Sequence, residues 1–463
     1  MAEPCSLSAS ELLEGYRRRQ LSPVEVAEAV SRRIEALNPR FNALCFVNSN
    51  LAQEAKESET RWQRGEPKGL LDGVPVSIKD LLLTRGWPTL RGSKTIDPAG
   101  PWPDDAPAVA RLREHGALLL GKTTTPEFGW KGVTDSPLTG VTRNPWNPQK
   151  TPGGSSGGAA AALASGMGPL AVGTDGGGSI RIPCSFTGLF GLKPSFGRVP
   201  AWPLSPFGTV AHVGPMTRSV ADAALMLNVL ALPDARDWHA LPYESRDYRA
   251  RLDMGVRGLR IAYSPDLGYA KVDPEVAALV RDAVKVFSDL GARVEEKNPG
   301  FENPEAIFKA HWFPGAALLL KTLDRKQRGL VDPGLVQVAA QGEKLAMLEV
   351  LDAQQKRGAL GAHMTQFHRD YDLLVTPTLA VPAFDAGREY PEGNERWTDW
   401  TPFTYPFNLT QQPAASIPCG FTRAGLPVGL HLVGPRYADA LVLRAARAFE
   451  SARPIKMPDL AAA

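Results

Sequence analysis

The feature that most constrains the fold of this chain is a pair of glycine- and serine-rich clusters joined by a stretch without charge. The clusters occupy residues 151–158 and 173–181, and no charged residue lies between Lys150 and Asp175. Glycine loses more backbone entropy on folding than any other residue, so such clusters need a structural or chemical reason. A flexible linker is one reason, but the alanine-rich run at 159–164 is typical of a helix. The pattern therefore favours buried, folded structure.

Phosphate binding is a second possible reason for glycine clusters. The P-loop requires Gly-Lys-Ser/Thr, which neither cluster contains, and the dinucleotide fingerprint is also unmatched. A third reason is a row of backbone N–H groups that stabilises an oxyanion beside a nucleophilic hydroxyl. Gly176, Gly177 and Gly178 stand directly before Ser179. We therefore expect Ser179 to be a candidate nucleophile and the N–H groups of residues 176–179 to be its oxyanion donors.

A serine nucleophile needs a base, and the usual histidine is not evident. The chain has seven histidines, none in a context that indicates a triad. Ser156 is the centre of a Gly-x-Ser-x-Gly motif, but in an α/β-hydrolase that serine directly follows a strand. Pro145, Pro148 and Pro152 precede it here and argue against a central strand.

Lysine is the other available base, provided that burial keeps its amine neutral. Lys79 ends an alternating segment, 74–79, and is followed by leucines. The alternation places Val74, Val76 and Ile78 on one face of a strand and Lys79 on the other. A surface ion pair between Lys79 and its neighbour Asp80 is the alternative, although adjacent strand residues face opposite sides.

Apolar periodicity predicts alternating helices and strands, hence an α/β fold. Ser8 with Glu11 and Ser22 with Glu25 form capping boxes for two helices within about 8–37, the second ended by Asn38-Pro39. Further helices are predicted at 108–115, 220–231, 273–290 and over most of 300–370. Strands are predicted at 117–120, 170–172, 189–192, 260–263, 373–375, 416–420 and 428–433, the last two as a hairpin.

Composition narrows the functional classes. The net charge is only +3, and the longest basic run, 17–19, lies on a predicted helix, so binding of nucleic acid is not expected. The four cysteines are far apart and no Cys/His cluster has zinc spacing, which favours a reducing, cytoplasmic location and no metal. Neither a signal peptide nor a membrane-spanning segment is indicated.

These motifs resemble those of the amidase signature family. The resemblance extends over most of the chain and includes residues 73–80, both glycine clusters, 191–194, 213–216, 416–420 and 425–429. It implies a mixed, twisted β-sheet covered by helices on both faces, without a cofactor. It also implies a single domain spanning 1–463, with N-terminal helices at about 8–37, a catalytic core at about 70–230 and a more helical, substrate-shaping region at about 260–410.

The family uses a Ser–cis-Ser–Lys triad to hydrolyse amides. By resemblance, Ser179 is the nucleophile, Ser155 is the bridging serine held by a non-proline cis peptide, and Lys79 is the base. Gly129 matches a substrate-contacting position. Three further residues are expected to support the loop, although a plain structural ion pair is equally compatible with the last two: Ser156, Asp175 and Arg181.

The resemblance implies a small amide substrate. It also implies a homodimer, as in other members of the family. One family branch, the A subunit of the tRNA-dependent amidotransferase, remains an alternative, but its tyrosine-rich helical motif is not seen here. A non-catalytic scaffold is disfavoured because no triad member is missing. Five aromatic residues are candidates either for an apolar acyl pocket or for ordinary core: Trp130, Trp397, Trp400, Phe403 and Tyr405.

Overall fold

A mixed sheet of eleven strands organises the molecule in the computed structural model, which describes residues 3–460. Within that range the strands are β1 (Leu44–Val47), β2 (Pro75–Lys79), β3 (Leu118–Thr123), β4 (Asp135–Ser136), β5 (Gly140–Val141), β6 (Leu170–Asp175), β7 (Phe190–Lys193), β8 (His212–Thr217), β9 (Arg260–Tyr263), β10 (Arg293–Glu296), β11 (Leu373–Pro377), β12 (Ala414–Phe421) and β13 (Pro427–Val433). The large sheet has the order β1-β3-β2-β6-β8-β7-β12-β13-β11-β9-β10, and β4 pairs separately with β5.

Parallel pairing is confined to two parts of this sheet. Strand β2 pairs in parallel with β3 and β6, and β9 does so with β10 and β11. The other neighbours are antiparallel, including the β12–β13 hairpin. The sheet is therefore mixed, as the resemblance implied, and β2 lies between two parallel neighbours.

The helices within residues 3–460 are α1 (Ala9–Arg17), α2 (Pro23–Phe41), α3 (Leu51–Arg64), α4 (Pro107–Glu114), α5 (Gly157–Ala164), α6 (Arg181–Thr187), α7 (Val220–Leu230), α8 (Pro274–Asp289), α9 (Glu305–Leu320), α10 (Arg325–Arg328), α11 (Pro333–Gly342), α12 (Met347–Asp370), α13 (Pro406–Leu409) and α14 (Asp439–Ala452). None of these helices combines the length and apolar character needed to cross a membrane.

Apolar side chains project from both faces of the large sheet, and helices cover each face. Leu119 joins the core cluster that contains the apolar sides of α4, α7, α8 and α14. Its neighbours Leu118 and Leu120 join a different cluster, with α2 and part of α5. Because successive strand side chains point in opposite directions, these two clusters lie on opposite faces. This confirms the expected α/β fold with helices on both sides of the sheet.

The N-terminal helices begin where the capping boxes place them, at Ser8 and Ser22. The predicted end of the second helix at about Leu37 was wrong. Helix α2 continues through Pro39 to the buried Phe41 and ends on Asn42 in the left-handed conformation, with φ 50°. Proline removes one N–H but the last turn still closes, because the Asn42 N–H donates to the carbonyl of residue 38 at 2.8 Å.

Several elements had no usable sequence signal. Strand β8 lies beside β6 in the centre of the sheet, yet it contains Gly214 and Pro215, which are depleted in strands. Short or polar elements were also missed, namely β1, β10, α3, α6 and α14. Their apolar periodicity is too brief or too mixed to separate them from loops.

The first helix is fastened to the core by a buried carboxylate. Asp222 of α7 accepts hydrogen bonds from the N–H groups of Ala9 and Ser10 at 2.9 and 3.1 Å, and from the Ser10 hydroxyl at 2.9 Å. The Asp222 side chain has no exposure to solvent. Helix α1 therefore depends on a residue more than two hundred positions away in the chain.

We expect Asp222→Ala to lower the free energy of unfolding by about 2–4 kcal/mol, because buried donors at the start of α1 lose a charged acceptor. Urea unfolding followed by circular dichroism measures this. The control is Asp352→Ala, which removes an exposed pair with Lys356 and should change the value by less than about 0.5 kcal/mol. Equal effects of the two substitutions would contradict this account of how α1 is held.

Candidate active site

Lys79 is the last residue of strand β2, and its side chain lies in the protein interior. Val76 and Ile78 belong to the core cluster on one face of the sheet, so the alternation sends Lys79 to the other face. Its side chain has no exposure, and Nζ lies 2.7 Å from Ser155 Oγ and 2.8 Å from Thr174 Oγ1. The alternative of a surface pair with Asp80 is wrong, because Asp80 is buried and faces Lys122 at 3.6 Å.

Burial lowers the pKa of Lys79 well below its ordinary value, and the negative charge of Asp175 opposes this only in part. A neutral amine has two N–H groups and one lone pair. The Thr174 carbonyl, 3.5 Å from Nζ, accepts hydrogen bonds and cannot donate them. Directing the two N–H groups of Lys79 towards Thr174 leaves the lone pair for the Ser155 hydroxyl. The arrangement thus suits a base.

The first glycine cluster presents two serines with different partners. The Gly154–Ser155 peptide bond is cis, and Ser155 is the serine that reaches Lys79. Ser156 instead ties the two clusters together: its N–H donates to the Ser179 carbonyl at 3.1 Å, and its hydroxyl donates to the Thr174 carbonyl at 3.2 Å. Ser156 therefore holds the loop of Ser179 and does not face the amine.

The glycines before Ser179 are needed for space. A Cβ at Gly176 would lie 2.5 Å from Trp312, and one at Gly177 would lie 2.7 Å from Trp397. At Gly178, φ is 136° and a Cβ would meet Thr404 Oγ1 at 2.5 Å. Larger residues would displace this loop against rigid aromatic rings or a buried hydroxyl.

The expectation that all N–H groups of residues 176–179 face an oxyanion was wrong for Gly178. Its N–H donates to Asp175 Oδ1 at 2.8 Å and is not available. The N–H groups of Gly176, Gly177 and Ser179 donate to no acceptor among the described residues. These three remain as candidate donors for a negatively charged oxygen.

Asp175 and Arg181 form an ion pair that also shapes the loop. Both side chains have no exposure, and the guanidinium contacts both carboxylate oxygens at 2.9 Å. Burial alone would raise the pKa of Asp175, but the charge and hydrogen bonds of Arg181 hold it well below its ordinary value. Because the same carboxylate accepts the Gly178 N–H, the ion-pair and loop-support interpretations describe one interaction.

Distant residues complete this support and were missed by the sequence analysis. The Thr404 hydroxyl donates to the Gly177 carbonyl at 2.6 Å. Asn408 donates to Asp175 Oδ1 at 2.9 Å and accepts from Arg181 at 2.6 Å. Nothing in their local sequence indicates this role, since they contact the loop only after the chain folds. Thr174 was also missed, although its position beside Asp175 was a usable signal.

Ser155 and Ser179 line one cavity of about 240 Å³, together with Gly129 and Gly176. Gly129 has φ +73°, and a Cβ there would lie 3.2 Å from Ser155 Oγ. The walls are mostly apolar and come largely from residues 195–213, with contributions from Leu81, Phe128, Trp312 and Leu319. Within residues 3–460, no group of three or more His, Cys, Asp or Glu side chains is arranged to hold a metal ion.

The five aromatic candidates for an acyl pocket are not among the described residues that line this cavity. They are at most 3% exposed and pack in the core. Trp397 contacts Trp312 edge-to-face with ring centroids 5.7 Å apart, and Trp400 stacks on Phe186 at 5.8 Å. The core interpretation is therefore correct for the whole set: Trp130, Trp397, Trp400, Phe403 and Tyr405.

Comparisons with known proteins agree with this geometry. The Amidase family model matches residues 25–443. An acylamidase of Rhodococcus erythropolis is 43% identical over 97% of this chain and 96% of its own length. The A subunit of the glutamyl-tRNA(Gln) amidotransferase of Moorella thermoacetica is 36% identical, with 96% of each chain covered. The crystal structure of a bacterial aryl acylamidase superposes with a TM-score of 0.90 at 35% identity, covering 97% of this chain and 96% of that one.

The chain therefore belongs to the amidase family, and it is an enzyme that hydrolyses amide C–N bonds. The amidotransferase alternative has less support, because the acylamidase shares more identity with the chain.

Asp175→Asn tests the support of the loop. We expect it to lower the free energy of unfolding by about 3–5 kcal/mol, because Arg181 is left buried without a counter-charge. The matched control is Asp385→Asn, whose partner Lys150 is 2.8 Å away at an exposed site and which should cost less than about 1 kcal/mol. Chemical unfolding of both variants gives the comparison. Similar stabilities would show that the buried pair does not hold this loop.

Proposed function

We propose that this enzyme hydrolyses acyl amides through an acyl-enzyme on Ser179, with Ser155 as the proton relay and Lys79 as the base. The observation that carries the proposal is the 2.7 Å distance between the fully buried Lys79 amine and Ser155, beside Ser179 in one cavity. A neutral lysine in this position draws a proton from one hydroxyl, which in turn accepts a proton from the next.

In the acylation step, Ser179 Oγ attacks the amide carbonyl carbon and gives its proton to Ser155, whose own proton passes to Lys79 Nζ. The carbonyl oxygen becomes negative and accepts hydrogen bonds from the free N–H groups of Gly176, Gly177 and Ser179. The C–N bond then breaks as the proton returns from Lys79 through Ser155 to the leaving nitrogen. The products are an ester on Ser179 and a neutral amine.

Deacylation uses the same groups with water as the nucleophile. Water attacks the ester carbon and its proton passes through Ser155 to Lys79, which later returns it to Ser179 Oγ. Ser179 Oγ makes no hydrogen bond with any described residue. We propose that rotation about the Ser179 side chain closes the relay when substrate is bound, since catalytic hydrogen bonds often tighten only then.

The substrate class follows from the cavity and from the relatives. Apolar side chains form most of the cavity wall, which suits an aliphatic or aryl group next to the amide. The names of the relatives, an acylamidase and an aryl acylamidase, point the same way. We propose that the chain acts as a free-standing amidase on small acyl or aryl amides, without nucleic acid.

We also propose a domain extent and a cellular location for the protein. Residues from β2, from the loop before α6 and from the segment before α13 meet at one site, which supports a single functional unit over 1–463. All four cysteines are unpaired, which supports a reducing, cytoplasmic location. The homodimer and the division into a core at 70–230 and a substrate-shaping region at 260–410 stay predictions; from that region Trp312 and Leu319 line the cavity.

We expect Ser179→Ala to abolish both amide hydrolysis and labelling by a serine-directed fluorophosphonate, because the attacking oxygen is removed. Ser155→Ala should lower kcat by about a hundredfold or more, since the relay is interrupted. Both variants and the native enzyme are assayed as the purified chain alone with a p-nitroanilide.

The matched control is Ser165→Ala, which removes a buried hydroxyl at the end of α5 that has no hydrogen-bond partner among the described residues. It should leave kcat within about twofold. Fluorophosphonate labelling that persists in Ser179→Ala would contradict the nucleophile, and inactivity of the native chain without added partners would contradict the free-standing amidase.

A further inference from the structure

Arg91 is a charged residue of the cavity that the proposed chemistry does not use. It is half-buried and lines the same cavity as Ser155, Ser179 and Gly129. Its side chain makes no hydrogen bond or ion pair with any residue in 3–460. A guanidinium carries five N–H donors and stays protonated at any physiological pH. Because the protein supplies no acceptor for Arg91, a ligand bound in the cavity can supply one.

Two carboxylates, one near Arg91 and one elsewhere on the cavity wall, already have partners of their own. Asp80 faces Lys122 at 3.6 Å, and the backbone N–H groups around Arg91 add to the interactions of that carboxylate. Asp237, on the cavity wall, accepts from the N–H of Ala201 at 2.8 Å and from the N–H of His239 at 2.9 Å. Neither carboxylate forms an ion pair with Arg91, so the positive charge of its guanidinium is offset only in part, by the longer-range attraction of Asp80.

The backbone holds Arg91 in an uncommon conformation beside the reacting groups. Arg91 has φ 56° and Phe128 has φ 52°, both in the left-handed region that non-glycine residues seldom adopt. The Phe128 N–H donates to the Arg91 carbonyl at 2.7 Å, and the next residue is Gly129, whose absent Cβ leaves room for Ser155. Such conformations persist where the surrounding structure requires them, and they concentrate at ligand sites.

Electrostatics favours an anionic group on the substrate. Burial lowers the pKa of Arg91 from its ordinary value, and the charge of Asp80 only partly offsets this. The loss of solvation is recovered when a carboxylate enters, because guanidinium and carboxylate form two parallel, charge-assisted hydrogen bonds. Apolar side chains that line the same cavity, including Leu81, Leu82 and Phe128, lower the local polarity and so strengthen such a pair.

We propose that Arg91 is a specificity-determining residue that binds a carboxylate carried by an otherwise apolar amide substrate. This inference rests on the proposed function, since it names the substrate class of the same site. The preferred substrates are then amides in which an aliphatic or aryl spacer joins the reacting amide group to a carboxylate.

The test compares two pairs of amides that differ in one carboxylate. In the first pair, glutaryl p-nitroanilide carries the carboxylate on the acyl side and pentanoyl p-nitroanilide lacks it. In the second pair, 4-acetamidobenzoate carries the carboxylate on the amine side and 4-methylacetanilide lacks it. We measure kcat/KM for all four with the native enzyme, Arg91→Met, Arg91→Lys and Arg85→Met. Arg85 is the matched control, because its side chain is 67% exposed and it is not among the cavity-lining residues in 3–460.

For at least one pair, the native enzyme should prefer the carboxylate by about 10- to 100-fold, the range of a charge-assisted hydrogen bond. Arg91→Met should remove this preference and leave the neutral member within about threefold. Arg91→Lys should retain part of the preference, and Arg85→Met should change nothing. The pair that responds shows on which side of the amide the carboxylate binds.

Three outcomes would overturn the inference. They are a native enzyme without preference in either pair, a preference that survives in Arg91→Met, and equal losses on charged and neutral members, which indicate a purely structural role. The proposed function fails separately: in that case none of the four amides is hydrolysed by the native chain, or hydrolysis persists in Ser179→Ala.

Discussion

The burial of one amine without a bound counter-ion is the interaction on which this site depends. Lys79 and Lys122 lie on neighbouring strands and both have no exposure, but their surroundings differ. Lys122 faces Asp80, and burial lowers its pKa only to about 8. Lys79 faces the hydroxyls of Ser155 and Thr174 instead. Because hydroxyls stabilise a cation far less than a carboxylate does, Lys79 is the lysine suited to act as a neutral base.

A second interaction limits how far the nearby carboxylate stabilises the protonated form of this base. Asp175 is close enough to raise the pKa of Lys79, yet its oxygens are taken up by Arg181, Asn408 and the Gly178 N–H. The same bonds fix the loop that carries Ser179 and leave the N–H groups of Gly176 and Gly177 free. One buried ion pair therefore serves the electrostatics of the base and the geometry of the candidate oxyanion site.

The sequence predicted those parts of the site that depend only on neighbouring residues in the chain. Strand alternation placed Lys79 opposite Ile78, and the glycine clusters marked the loops. Contacts between distant segments were not predictable, because no local pattern encodes them. Thr404 and Asn408 reach the loop only through the packing of α13 and the residues before it, and the Gly178 N–H is lost to a carboxylate three residues earlier. The five aromatic candidates proved to be core, while the cavity wall came from 195–213, a stretch without strong periodicity.

The most direct test measures the protonation of Lys79 itself. The enzyme is prepared with lysine labelled with carbon-13 at Cε, and the spectra of the native enzyme and Lys79→Met are compared across pH to assign the signal. We predict that Lys79 titrates well below the ordinary lysine pKa of about 10.4, so that the amine is neutral at pH 7 and kcat/KM falls as pH decreases through the same value. A Lys79 signal that stays cationic at pH 7 in active enzyme would contradict the account.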